Sequence, residues 1–127
     1  MSPVVVLHIV AAALLLALSA ITGVWGLAMS RKGRGRPNLR LLELWRQAIA
    51  FTWTLVAATG LLGLALLGSG KHPGDPLHAR VYGPFMVFVV IAALGFRTGD
   101  QRWNTRVLSV ASLFILALGV RAAFTGY

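Results

Sequence analysis

The chain has 127 residues, 57% of them hydrophobic and 12% charged, with a net charge of +9 and no cysteine. Soluble domains carry about 25% charged residues, so this composition excludes an ordinary water-soluble fold. Without cysteine there is no disulfide, thiolate metal site, cysteine-held iron–sulfur cluster or covalently attached c-type haem.

The first apolar stretch covers residues 4–29, between Pro3 and the break Ser30-Arg31-Lys32-Gly33. A bilayer core is crossed by about 20 helical residues. The stretch lacks a basic leader and is too long for a signal peptide, so it reads as a transmembrane helix. Small residues recur along it, at Ala12, Ser19, Gly23 and Gly26, roughly on the face of His8. Such residues let a neighbouring helix or a flat cofactor come close.

The second stretch covers 48–68 and carries Gly60, Gly63 and Gly68. Ahead of it, residues 37–47 mix Leu39, Leu41, Leu42, Leu44 and Trp45 with Arg40, Glu43 and Arg46. This segment reads equally as an amphipathic helix on a surface of anionic lipid headgroups or as an extension of the second helix. The third stretch, 76–96, starts at Asp75-Pro76, a helix-start pair, and contains Gly83 and Pro84. The fourth, 107–124, contains Ser109, Ser112, Gly119 and Arg121. All four are continuous and rich in Ala and Leu, not alternating, which predicts helices instead of strands. Short loops predict one all-α domain over 1–127, an integral membrane four-helix up-and-down bundle. Of the four tryptophans, Trp25, Trp45 and Trp103 suit interfaces, and Trp53 is the one expected in the core.

The cations cluster in loops, a pattern that belongs to membranes and not to nucleic acid. Arg31, Lys32, Arg34, Arg36, Arg40 and Arg46 follow the first stretch, and Arg97, Arg102 and Arg106 follow the third. Only Lys71 lies between the second and third, with Arg80 just inside the start of the third. The positive-inside rule then places both basic loops in the cytoplasm and both termini on the extracytoplasmic side. A bacterial inner membrane is the expected location.

His8 and His78 are the chemical clue. His8 to Met29 is about 21 residues, or about 31 Å at 1.5 Å per residue, and His78 to Arg97 is about 19 residues, or about 28 Å. The two imidazoles are thus expected within about 3 Å of one level, on helices that are diagonal across an up-and-down bundle. Two such histidines are suited to the axial positions of a b-type haem. Propionates would find partners in Arg80, Tyr82 and Arg121, all toward the same end. Two readings stand beside this one. The histidines are also at home at an interface with no ligand, and Arg121 is close enough to the end of its helix to snorkel. A different metal would need a third ligand, for which only His72 and Asp75 are near.

Leu7-His8, Pro76-Leu77-His78 followed by Gly83, and the late Arg121 with Thr125-Gly126 resemble the pattern of small four-helix haem-b membrane proteins. The chain is similar to a cytochrome b561-type bundle or to one half of a haem A synthase-type protein. That resemblance implies a haem-b subunit for electron transfer or quinone-linked redox, within a larger membrane complex. Cytochrome b561 proteins that carry electrons across the membrane hold two haems on four histidines, and this chain offers one pair. The competing class is an accessory subunit without haem in a respiratory or photosynthetic assembly. Glu43, Asp75 and Asp100 lie in separate loops, so no carboxylate pair serves acid–base catalysis, and no acidic residue sits within a span.

Topology is checked by single cysteines at Ser2, Gly33, Lys71 and Gln101. Impermeant thiol reagents should label positions 2 and 71 from outside and spare 33 and 101. Labelling of position 33 from outside reverses the orientation.

Overall fold

The computed structural model describes residues 3–31, 38–70 and 81–124. It is all-α in those residues, with α1 Pro3–Met29, α2 Leu39–Gly68, α3 Gly83–Gly95 and α4 Gln101–Ala123. Three of these, α1, α2 and α4, are long and apolar enough to cross a membrane. The described part of α3 has 13 residues. Residues 76–80, where the sequence starts the third helix, lie outside the described residues.

Caps explain where α2 and α4 begin. Asn38 Oδ1 accepts from the amides of Arg40 at 3.0 Å and Leu41 at 3.4 Å. Asp100 Oδ1 does the same for Arg102 at 2.9 Å and Trp103 at 3.4 Å. Each carboxamide or carboxylate satisfies amides that the first helical turn leaves without partners. The amphipathic segment is therefore the first part of α2, not a separate surface helix. At 30 residues α2 is about 45 Å long, beyond the about 30 Å of a hydrocarbon core. Its surplus turns carry Arg40, Glu43 and Arg46. In α4 the cap draws Arg102 and Arg106, read from the sequence as loop residues, into the helix. Pro84 sits in the first turn of α3, where its missing N–H costs little.

The helices pack as a ring in chain order. Helix α1 lies between α2 and α4, while α3 lies against α4 and, more lightly, α2. The most extensive packing is between α1 and α4. A Cβ on Gly23 would stand 2.6 Å from Leu113, and one on Gly26 would collide with Ser109 Oγ and stand 2.8 Å from Trp45. At the other end of this seam Gly119 of α4 receives Leu16 of α1. Ser19, Thr22, Ser109 and Ser112 are fully buried along it. Several hydroxyls in the bundle bond back into their own helices, Thr22 to Leu18 O and Ser109 to Thr105 O among them.

Trp45 locks the seam from the side. It is 1% exposed, and its indole N–H donates to Thr22 O at 2.9 Å. Trp53 packs against both core clusters, as the sequence expects, and Trp45 is buried more completely still. The reason is the partner: only Trp45 stands opposite Gly26, where a missing side chain leaves room for the ring. Arg106 then donates to Ser30 O at 3.0 Å and ties α4 to the end of α1. Toward the opposite end the core is Leu15, Val56, Met86, Ile115 and Ala122.

Two glycines give opposite expectations. Gly26→Ala should overpack the junction of Trp45 and Ser109 and destabilise by about 1–3 kcal/mol. Gly60 has nothing within 4 Å of an added Cβ, so Gly60→Ala should be neutral or stabilise by up to about 1 kcal/mol through helix propensity. Thermal midpoints in detergent compare the two. Equal midpoints for both variants contradict the seam.

Candidate functional site

His8 lies in the second turn of α1 and is 7% exposed. Its Nδ1 is 3.1 Å from the carbonyl oxygen of Thr59 on α2. A carbonyl only accepts, so Nδ1 carries the proton, and in the neutral ring the lone pair is on Nε2. Gly63, one turn beyond Thr59, forms the seat of the ring. A Cβ there would stand 3.3 Å from His8 Cε1 and 3.8 Å from Nδ1. A histidine whose one nitrogen is held by a backbone carbonyl is oriented as metal-ligating imidazoles are.

On the α3–α4 side of the same end, Arg121 Nε donates to Tyr82 Oη at 3.2 Å. Tyr82 is half-buried against the core cluster, and Arg121 is exposed. Since Leu16 meets Gly119 and Gly26 meets Ser109, Arg121 is level with Leu14. That is six residues, or about 9 Å, nearer the middle of the bundle than His8. The structure thus brings Tyr82 and Arg121 together and sets His8 apart on the α1–α2 side. His78 and Arg80, with His72 and Asp75, lie outside the described residues. Among the described residues no three His, Cys, Asp or Glu side chains gather as a metal would require.

Two contributors escape a reading of the sequence. Thr59 acts through its backbone oxygen, which every residue has. Gly63 stands out only as one of several glycines in α2, and Gly60 and Gly68 touch nothing within 4 Å of an added Cβ. Neither a protein-family model, nor a curated protein, nor a solved structure matches this chain.

The Thr59 bond has a spectroscopic signature. Nitrogen NMR of the histidine-labelled protein should show His8 as the Nδ1–H tautomer when neutral, assigned by its loss in His8→Gln. Gly63→Val should abolish that signature by pushing the ring off Thr59. An Nε2–H tautomer in the wild type removes the orientation described above.

Proposed function

We propose that the chain is an integral membrane subunit that holds one haem b, with His8 and His78 as axial ligands, in electron transfer or quinone-linked redox. The single observation that carries the reading is the His8 Nδ1 contact with Thr59 O, because it directs proton and lone pair to the nitrogens that ligation requires. The donor chemistry fits a haem iron, which takes neutral imidazole. Haem supplies one-electron chemistry when bound. The chain's own residues supply orientation at His8, a seat at Gly63, and a cation at Arg121 that Tyr82 holds at 3.2 Å. Arg80 and Arg121 are the proposed propionate partners. Three long apolar helices support membrane insertion, and the cation distribution supports cytoplasmic basic loops with both termini outside, as in a bacterial inner membrane.

A second reading, an accessory subunit without haem, is favoured by the outer faces of the helices. Val24 at 63%, Leu61 at 66%, Phe88 at 62% and Ile91 at 63% exposure leave large apolar surface for lipid or for helices of a larger complex.

A reduced-minus-oxidised spectrum of protein purified from haem-replete membranes decides between them. The haem reading expects a Soret band that His8→Ala and His78→Ala each remove or alter. Arg121→Leu should lower the midpoint potential, since a nearby positive charge favours reduced iron, and Arg121→Lys should lower it less. A protein without a Soret band excludes the haem reading, and copurification with other membrane subunits after mild-detergent extraction tests the accessory one.

A further inference from the structure

At the end of the bundle away from His8, a cleft of about 520 Å³ opens between α2, α3 and α4. Arg46 of α2 and Arg97, just past α3, line it, and both are exposed. Ile49, Trp53, Leu94 and Leu108 line it further in. No lining residue is acidic. The helices that border it include the lightly packed pair α2 and α3, so neither helix fills the space between them.

We infer that this cleft binds an anionic phospholipid, its phosphate between Arg46 and Arg97 and an acyl chain along Ile49, Trp53 and Leu94. The order of residues along the helices carries the assignment. On α2 the charge at Arg46 comes first and the apolar Ile49 and Trp53 follow one and two turns inward. On α3 the apolar Leu94 precedes the charge at Arg97, just past the helix end. Both helices therefore present cation at the end of the bundle and hydrocarbon toward its middle, which is the polarity of a lipid. Guanidinium groups pair with phosphate through parallel N–H donors, and two of them in a lining without a carboxylate attract an anion over a zwitterion. Arg97 Nε lies 3.5 Å from Leu94 O, which keeps its stem against the helix end on the cleft side. The placement gives the basic loops a defined anionic partner beyond the diffuse attraction of a charged surface. The inference rests on the bundle lying in a membrane and is independent of haem.

The test is native mass spectrometry of the full chain. The protein is first reconstituted into vesicles of equal phosphatidylglycerol and phosphatidylcholine with added ubiquinone, then released in mild detergent. The expected result is one retained phosphatidylglycerol, favoured over phosphatidylcholine by about thirtyfold, the ratio expected of two arginines near an anionic headgroup. Arg46→Gln with Arg97→Gln should bring the ratio to about one. Arg40→Gln with Arg102→Gln removes the same charge from exposed positions that do not line the cleft and should leave the ratio unchanged. Circular dichroism confirms helix in both double variants. Equal loss in both variants overturns the site in favour of diffuse charge. Equal retention of the two phospholipids, or a retained quinone in place of phospholipid, overturns it as well. A protein that does not enter the vesicles overturns the membrane reading and the site with it, and that outcome is told apart by vesicle flotation.

Discussion

The contact that organises this bundle is the meeting of Gly26, Ser109 and Trp45. In the membrane setting proposed for this chain, helices gain little from excluding apolar surface, because lipid is as apolar as leucine. What holds them is close packing and the few hydrogen bonds that cross between them. At Gly26 both occur together. The absent side chain admits Ser109 from α4 and the indole of Trp45 from α2, and that indole bonds to Thr22 O at 2.9 Å. Three helices are fixed at one point, and α3 is placed by leaning on α4. The register that results determines which residues share a level at the far end, and so where His8 stands relative to Tyr82 and Arg121.

Several of the hydroxyls inside this apolar frame are satisfied locally, while those of Ser19, Thr59 and Ser112 are buried without a hydrogen bond. Thr22, Thr52, Thr105 and Ser109 donate to carbonyls three or four residues back, so each hydroxyl is satisfied within its own helix and leaves the packing between helices to shape alone. The connection from α3 to α4 works differently. Thr98 N donates to Asn104 Oδ1 and Asn104 Nδ2 donates to Thr98 O, both at 2.7 Å, while Trp103 Nε1 reaches Phe96 O at 3.1 Å. Side chains of α4 thus satisfy the backbone of the turn, and α3 and α4 form a closed hairpin at the end that carries the cleft.

Much of the architecture was legible in the sequence, because apolar length and turn chemistry are local properties. The cap residues Asn38 and Asp100 moved the starts of α2 and α4 outward, since a side chain that satisfies two amides extends a helix past the edge of its apolar stretch. The identity of the most buried tryptophan was not legible, because it depends on which glycine of another helix stands opposite. The same holds for the seat of His8. Its level could be estimated from rise per residue, but its neighbour is a carbonyl and a glycine on α2, neither of which carries a distinguishing side chain. Tyr82 and Arg121 were each visible as polar residues near one end, and only the α3–α4 packing joins them.

The α1–α4 seam also has a consequence in time. Gly26 and Ser109 are 83 residues apart in the chain. At roughly 5–20 residues per second of synthesis, α1 exists for about 4–17 s before the surface that fills its seam is made. Through that interval the groove at Gly23 and Gly26, with the hydroxyl of Ser19 that the finished bundle buries, stays open to the surroundings. Helix α2 arrives sooner and supplies Trp45, which covers one flank of the groove and leaves the other open. The newborn α1–α2 pair is thus a half-built interface, and a second nascent copy would meet it in that form. Exchange of α4 between copies would use the same surface as correct folding, so fidelity of assembly depends on how soon α4 follows.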